Sequence, residues 1–250
     1  MSRFEPYRTA FESDGFVVVP QFYSPEEVAT LKGEIDRYIN EVLPKGEAGQ
    51  AFYQDPNDPT TLKQINNFEN DAWFAEMPLR ERWKELAETL LGEEAHSKTP
   101  EWFNKPPEMN HPTPPHQDNY YFSLTPPQVL TMWLALDDVD EENGCLRYVP
   151  GSHREPIRAH GRTKVLGFSQ GIDDYSESDF AREVAIHMQP GDVAIHHGDT
   201  IHRADANRSA DRHRRSLALV FRGVSCQRDE VAFARYQETM KQQHEELGYK

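Results

Sequence analysis

Apolar residues recur along this chain at two different periods, and the change falls near residue 100. Before it the spacing is helical. Ser24-Pro25-Glu26-Glu27 offers an N-cap serine, a proline at the first helical position and the glutamate of a capping box. Val28, Leu31, Ile35, Tyr38 and Val42 then follow at alternating spacings of three and four, the apolar stripe of an amphipathic helix. A second helix is expected from Pro78 to Leu91, with Leu79, Trp83, Leu86 and Leu90 inward and Gly92 as its stop. A short helix over 5–13 leads into a β-branched strand within Gly15–Pro20. Residues 44–61, rich in Pro, Gly, Asp and Asn, read as a loop.

After Glu101 short β-like runs take over: Trp102-Phe103, Val129–Leu136, Leu146–Val149, Val184–Met188, Val193–His196 and Ser216–Phe221. Turn signals such as Glu142-Asn143-Gly144 and Pro150-Gly151-Ser152 separate them, the signature of an antiparallel sandwich or barrel. The order predicts a mainly β protein with flanking α-helices, the N-terminal helices packed on one sheet. The stretch 153–183 is polar and poor in strand signal, and reads as a functional loop or lid. Residues 227–246 read as a closing helix. One domain is expected, helical over about 1–92 and β over about 100–225.

Charge narrows the partners. The 250 residues hold 27 basic and 42 acidic side chains, a formal net charge of −15. A broad nucleic-acid or anionic-membrane surface would need clustered Lys and Arg, so neither partner is expected. No run approaches a membrane span, and residues 1–6 lack the apolar core of a signal peptide, which makes a cytoplasmic location the expectation. Cys145 and Cys226 show no zinc spacing and no disulfide framework.

The candidate chemistry centres on Pro115-His116-Gln117-Asp118. If this stretch is extended, the imidazole and the carboxylate project from one face and can occupy adjacent corners of a metal ion. A third corner can come from His196, His197 or His202. His202 is favoured, because it sits on a second apolar step, Thr200-Ile201-His202, ahead of a polar turn. Two His and one carboxylate with open positions form the facial triad of non-haem Fe(II) oxygenases. Farther on, Arg214 and Ser216 share a strand face and can clamp a carboxylate, while Arg215 points the other way. His153, Arg154, Arg158, His160 and Arg162 make the 153–183 stretch locally basic, either a solvated loop or a receiver for an anionic substrate.

Four stretches together resemble the phytanoyl-CoA dioxygenase family: Phe103-Asn104-Lys105-Pro106-Pro107; Pro115-His116-Gln117-Asp118; Trp133 through His153; and His202 through Ser216. The resemblance implies a double-stranded β-helix (jelly roll, cupin-like) core, Fe(II), 2-oxoglutarate as cosubstrate and O2. It matches His116, Asp118 and His202 to the metal ligands, Arg214 to the anchor of the cosubstrate's distal carboxylate, and Trp133 and Lys63 to residues lining that cosubstrate. The turn after His202 is one residue longer than the common pattern, which leaves Arg215 or His213 as alternatives at the anchor, and Ala204 replaces a frequent Ser. The implied activity is hydroxylation of a small molecule with release of succinate and CO2; Asp118 stands where halogenating relatives lack a carboxylate. The competing readings are a cupin-type metal oxygenase or isomerase that does not use 2-oxoglutarate, and a non-catalytic jelly-roll binding protein.

Overall fold

The computed structural model describes residues 2–46, 50–55, 57–98, 100–109, 111–165 and 168–247. In chain order its strands are β1 (Phe16–Val19), β2 (Ala51–Tyr53), β3 (Leu62–Ile65), β4 (Ala95–Ser97), β5 (Glu101–Lys105), β6 (Thr113–His116), β7 (Leu124–Thr125), β8 (Val129–Ala135), β9 (Leu146–Tyr148), β10 (His160–Val165), β11 (Phe168–Ile172), β12 (Val184–Ile186), β13 (Val193–His197), β14 (His202–Ala204), β15 (Arg214–Gly223) and β16 (Gln227–Arg228). The α-helices are α1 (Glu5–Asp14), α2 (Pro25–Arg37), α3 (Ala72–Ala75), α4 (Glu81–Leu91), α5 (Asp118–Phe122), α6 (Glu177–Phe180) and α7 (Glu230–Leu247).

Period-two alternation decides how these strands are used. The larger antiparallel sheet runs β1-β13-β8-β15-β5-β3-β2, with β4 also on β15; the smaller runs β12-β9-β14-β6. On the larger sheet Leu130, Met132 and Leu134 of β8, Val193 and Ile195 of β13, and Leu217, Leu219 and Phe221 of β15 face one way. They share a core with Leu31 and Ile35 of α2 and with Trp83, Leu86 and Leu90 of α4. The intervening residues, Trp133, Ala135, Ala194 and Ala218, form a second core with Leu146, Tyr148, Ile186 and Ala204 of the smaller sheet. Two antiparallel sheets face to face, with helices on the outer side of one, make the expected jelly roll. No helix among the described residues is long and apolar enough to cross a membrane.

Local signals explain the helices. Ser24 caps α2 through a complete capping box, and Gly92 ends α4 at φ 74°. Helix α4 starts at Glu81 rather than Pro78, because Met77–Leu79 turn more tightly as a 3-10 helix. Leu79 is therefore not inward; it is 74% exposed. Two further expectations fail. Residues 44–61 are not all loop, since Ala51–Tyr53 pairs with β3 at the sheet edge. Nor is 153–183 all loop. It folds back as the β10–β11 hairpin and α6, held by Tyr120 Oη on Gln170 Oε1 at 2.7 Å and Tyr121 Oη on the Gln170 carbonyl at 2.6 Å. Both segments pair locally or at an edge, where polar residues are tolerated and the apolar alternation fades. Cys145 and Cys226 are both free.

Trp83 ties helix to sheet. It is fully buried, donates from Nε1 to Tyr23 Oη at 3.0 Å and meets the Phe22 ring edge-on at 4.8 Å. Trp83→Ala should cost about 3–5 kcal/mol in urea unfolding, the range for truncating a large buried aromatic. A loss below about 1 kcal/mol would show that the helix layer contributes little.

Candidate active site

Strand β6 is an edge strand whose ladder with β14 shifts register between His116 and Thr113, a place where Pro114 and Pro115 are tolerated. It ends at His116. Gln117 keeps an extended backbone (φ −124°, ψ 122°), and Asp118 opens the short helix α5. Asp118 is thus not on the strand, as the His-x-Asp spacing suggested, but the single extended residue between them still brings both side chains to one point. Antiparallel pairing sets His202 of β14 directly across from His116, and their ring centroids lie 4.1 Å apart. His116 Nε2 is 3.4 Å and His202 Nε2 3.6 Å from Asp118 Oδ1. One ligand atom from each of the three residues lies within 4.8 Å of the others, a group that could hold a metal ion.

Hydrogen bonds behind these atoms fix their protonation. His116 Nδ1 is 2.8 Å from the Pro114 carbonyl and His202 Nδ1 3.0 Å from the Thr200 carbonyl. A carbonyl only accepts, so each Nδ1 carries the proton and each Nε2 turns a lone pair into the site. On Asp118, Oδ2 accepts from Thr131 Oγ1 at 2.6 Å and from His196 Nε2 at 3.1 Å, which leaves Oδ1 for a ligand. Tyr148 Oη donates to His196 Nδ1 at 2.9 Å, so the His196 proton sits on Nε2, toward Asp118. His196 is therefore a support for the carboxylate. His197, on the opposite strand face, meets Phe11 and His153. Burial alone would raise the Asp118 carboxyl, but His202, His116 and His196 hold it well below the usual range. Burial, with His116 and His196 adding, pulls the His202 pKa well below its ordinary value against the opposing pull of Asp118.

A cavity of about 850 Å³ opens over this cluster between the sheets. Arg214 reaches it from the start of β15, 4% exposed, with its guanidinium 5.1 Å from the Trp133 ring centre. Its Nε is buried with no hydrogen-bond partner, and among the described residues no carboxylate pairs with it. Burial pulls its pKa down to about 10. Arg215 points to the helices and binds Asp137 through Nε and Nη2, both at 2.8 Å. His213 sits near Asn104 Oδ1, outside the main cavity. Ser216 shares the Arg214 face, but it is fully buried, its hydroxyl has no partner, and it does not line the cavity. Lys63 of β3 lines the cavity, with burial lowering its pKa to about 8.

Three cavity residues were given no role in the sequence reading. Lys105, paired in register with Arg214, donates from Nζ to the Asp205 carbonyl at 2.6 Å; burial, Arg214 and Lys63 push its pKa well down. Thr131 positions Asp118, and as the lone polar residue in Val129–Ala135 it was readable as a functional exception. Glu101, whose carboxyl burial and Asp118 raise to about 7, shares an alternating face with Phe103 and Lys105. The basic residues of 153–183 are spent elsewhere. Arg158 binds Asp174 and Asp179, Arg154 the Ser13 carbonyl, His160 stacks on Tyr120, and none of them lines the cavity.

A two-histidine, one-carboxylate cluster between the sheets of a jelly roll is the arrangement of the non-haem Fe(II) oxygenases. The Phytanoyl-CoA dioxygenase (PhyH) family profile matches residues 11–216, and the chain belongs to that family. The peroxisomal phytanoyl-CoA dioxygenase of Mus musculus is 26% identical over 234 residues, covering 88% of this chain and 68% of its own. EvdO2 of Micromonospora carbonacea var. aurantiaca, solved with 2-oxoglutarate, is 27% identical and superposes with a TM-score of 0.68 over 89% of this chain and 91% of its own. SnoK, a non-haem α-ketoglutarate-dependent carbocyclase of nogalamycin biosynthesis, is 26% identical, with a TM-score of 0.70 over 90% of this chain and 85% of its own.

Lys63 gives this site a pH signature. Its folded pKa of about 8 lies below the ordinary 10.5, so the unfolded chain holds the proton more tightly. The charged buried amine destabilises the protein fully below pH about 8, and the penalty fades as pH rises toward 10.5. Between pH 7 and 10 the stability of wild type relative to Lys63→Met should rise by about 2 kcal/mol in denaturant titrations. A pH-independent difference would place the amine in water.

Proposed function

We propose that the protein is an Fe(II)- and 2-oxoglutarate-dependent oxygenase that hydroxylates a small-molecule substrate and releases succinate and CO2. One observation carries the reading: a His-Asp-His cluster shares its cavity with a buried guanidinium that has no carboxylate partner among the described residues. In this assignment His116 Nε2, Asp118 Oδ1 and His202 Nε2 hold the iron. Arg214 takes the distal carboxylate of 2-oxoglutarate, for which an unpartnered Nε in a dry pocket is a fitting donor. Trp133 walls that pocket, and Lys105 and Lys63 add the positive charge that a dianion needs. The bound iron and keto-acid supply the oxidative decarboxylation with O2 that generates the oxidant. The chain's own part is to orient both, exclude water and present the substrate.

The relatives support the cosubstrate, since EvdO2 was solved with 2-oxoglutarate and SnoK is described as α-ketoglutarate-dependent. Hydroxylation is the finer reading. It is supported by Asp118, since a carboxylate ligand there would take the place that a halide needs.

Mn(II) binding followed by electron paramagnetic resonance should weaken by well over tenfold in His116→Ala, Asp118→Ala and His202→Ala, and stay intact in His197→Ala, which removes a ring outside the site. Loss of binding in His197→Ala with retention in His202→Ala would overturn the ligand assignment.

Arg214→Ala should leave Mn(II) binding intact and raise the 2-oxoglutarate dissociation constant about tenfold or more, because a charge-assisted contact contributes ~1.5–3 kcal/mol. Arg215→Ala should lower the melting temperature by freeing Asp137 and leave the cosubstrate constant unchanged. The reverse pattern in calorimetry would mean that the strand face is misassigned.

A further inference from the structure

We propose that the substrate carries a compact anionic group, a carboxylate or a phosphate, and that Arg222 and Arg228 receive it on the side of the metal cluster away from Arg214. This deepens the proposed function and rests on it for the word substrate; the anion subsite itself rests on the side chains alone.

The argument starts from the inner face of β15. Arg214, Ala218, Val220 and Arg222 all line the cavity from that face. The ladder with β8 sets Val220 across from Thr131, the residue that binds Asp118. The metal cluster therefore stands at the level of Val220. Arg214 lies six residues before that level and Arg222 two residues after it. If Arg214 holds the cosubstrate, Arg222 is on the side left for substrate. Two residues of strand span about 7 Å. The anionic group and the carbon to be oxidised are then a few bonds apart.

Arg222 and Arg228 both stack on aromatic rings. The Arg222 guanidinium lies 5.1 Å from the Phe122 ring centre and that of Arg228 4.1 Å from Phe233. A guanidinium laid on a ring keeps its edge N–H groups free for a planar carboxylate or a phosphate. Among the described residues no carboxylate pairs with either arginine. The nearest acids are engaged elsewhere: Glu93 accepts from Ser225 Oγ at 2.6 Å, and Asp229 accepts from the backbone N–H groups of the first turn of α7. The two arginines also work against each other, since burial and the nearby Arg228 both pull the Arg222 pKa down. Lys98, at the same rim, adds charge of the same sign. His96, across from Arg222 on β4, has only a loose contact with Glu94 at 3.8 Å. Glu101, the other acid lining this cavity besides Asp118, lies across from Ala218, four residues before Arg222 on β15, and its carboxyl feels Asp118. An anion between Arg222 and Arg228 relieves their repulsion.

The test is saturation-transfer NMR on the full chain with hexanoate, phenyl phosphate and the uncharged hexanamide, run without metal and again with Zn(II) and saturating 2-oxoglutarate. At least one anion should bind in both conditions, with hexanamide about tenfold weaker or worse. The stronger of hexanoate and phenyl phosphate tells which acid the subsite takes. The double variant Arg222→Gln/Arg228→Gln should lose that preference while binding 2-oxoglutarate normally, and the double lysine variant should keep part of it. Removing two mutually repelling cations should not lower the melting temperature. Equal binding of hexanamide and the anions, unchanged anion binding in the glutamine variant, or no anion binding to wild type would each overturn the proposal. Failure of 2-oxoglutarate to bind, with the anion preference intact, would remove the cosubstrate reading and leave this subsite standing.

Discussion

The pairing of β15 with β8 is the constraint on which the site depends. It sets Leu217, Leu219 and Phe221 against the helices and turns Arg214, Ala218, Val220 and Arg222 into the cavity. A slip of one residue would send every one of these side chains to the other face. Four charged groups would then meet the wrong surroundings at once. Arg214 and Arg222 would enter an apolar helix interface, and Arg215 would lose Asp137. The apolar residues on one face and the ion pair at Arg215 therefore specify the register that the cavity uses.

Within that frame the cluster is tuned by bonds that point away from it. Each imidazole spends Nδ1 on a carbonyl two residues back in its own chain, Pro114 for His116 and Thr200 for His202. Asp118 spends one oxygen on Thr131 and His196. What remains is three lone-pair atoms aimed at one point. The far end of the cavity is tuned the opposite way: Lys63, Lys105 and Arg214 crowd positive charge into a buried space, each with its pKa pulled down chiefly by burial. That arrangement is poor for the empty protein and favourable for one holding a dianion. Stability is surrendered where binding needs it.

Much of this was legible in the sequence because it rests on period and spacing. The capping box at Ser24, the apolar stripe of α2 and the alternation in Val129–Ala135 and Ser216–Phe221 translate directly into burial. The placement of Arg214 and Arg215 on opposite faces followed from the same alternation. What escaped was set by tertiary contacts. The β10–β11 hairpin has too little apolar alternation to be read as strand, and its position depends on Tyr120 and Tyr121 from another element. Leu79 looked helical, but Pro78 favours a tight turn that throws it into solvent. The basic residues of 153–183 resembled a binding loop only while their acidic partners, Asp174 and Asp179, went uncounted. Arg222 and Arg228 gave no signal at all, because an arginine without a partner cannot be told from a paired one in sequence.

The central claim is that His116, Asp118 and His202 present a metal to a keto-acid held at its far end by Arg214. An anaerobic titration of the Fe(II)-loaded protein with 2-oxoglutarate, followed by visible absorption, tests it most directly, since a keto-acid that chelates Fe(II) through its carbonyl and carboxylate gives a charge-transfer band. The account predicts a band that saturates at one equivalent of 2-oxoglutarate and does not form in His202→Ala. An Fe(II) spectrum that 2-oxoglutarate leaves unchanged, or a band that survives in His202→Ala, would contradict it.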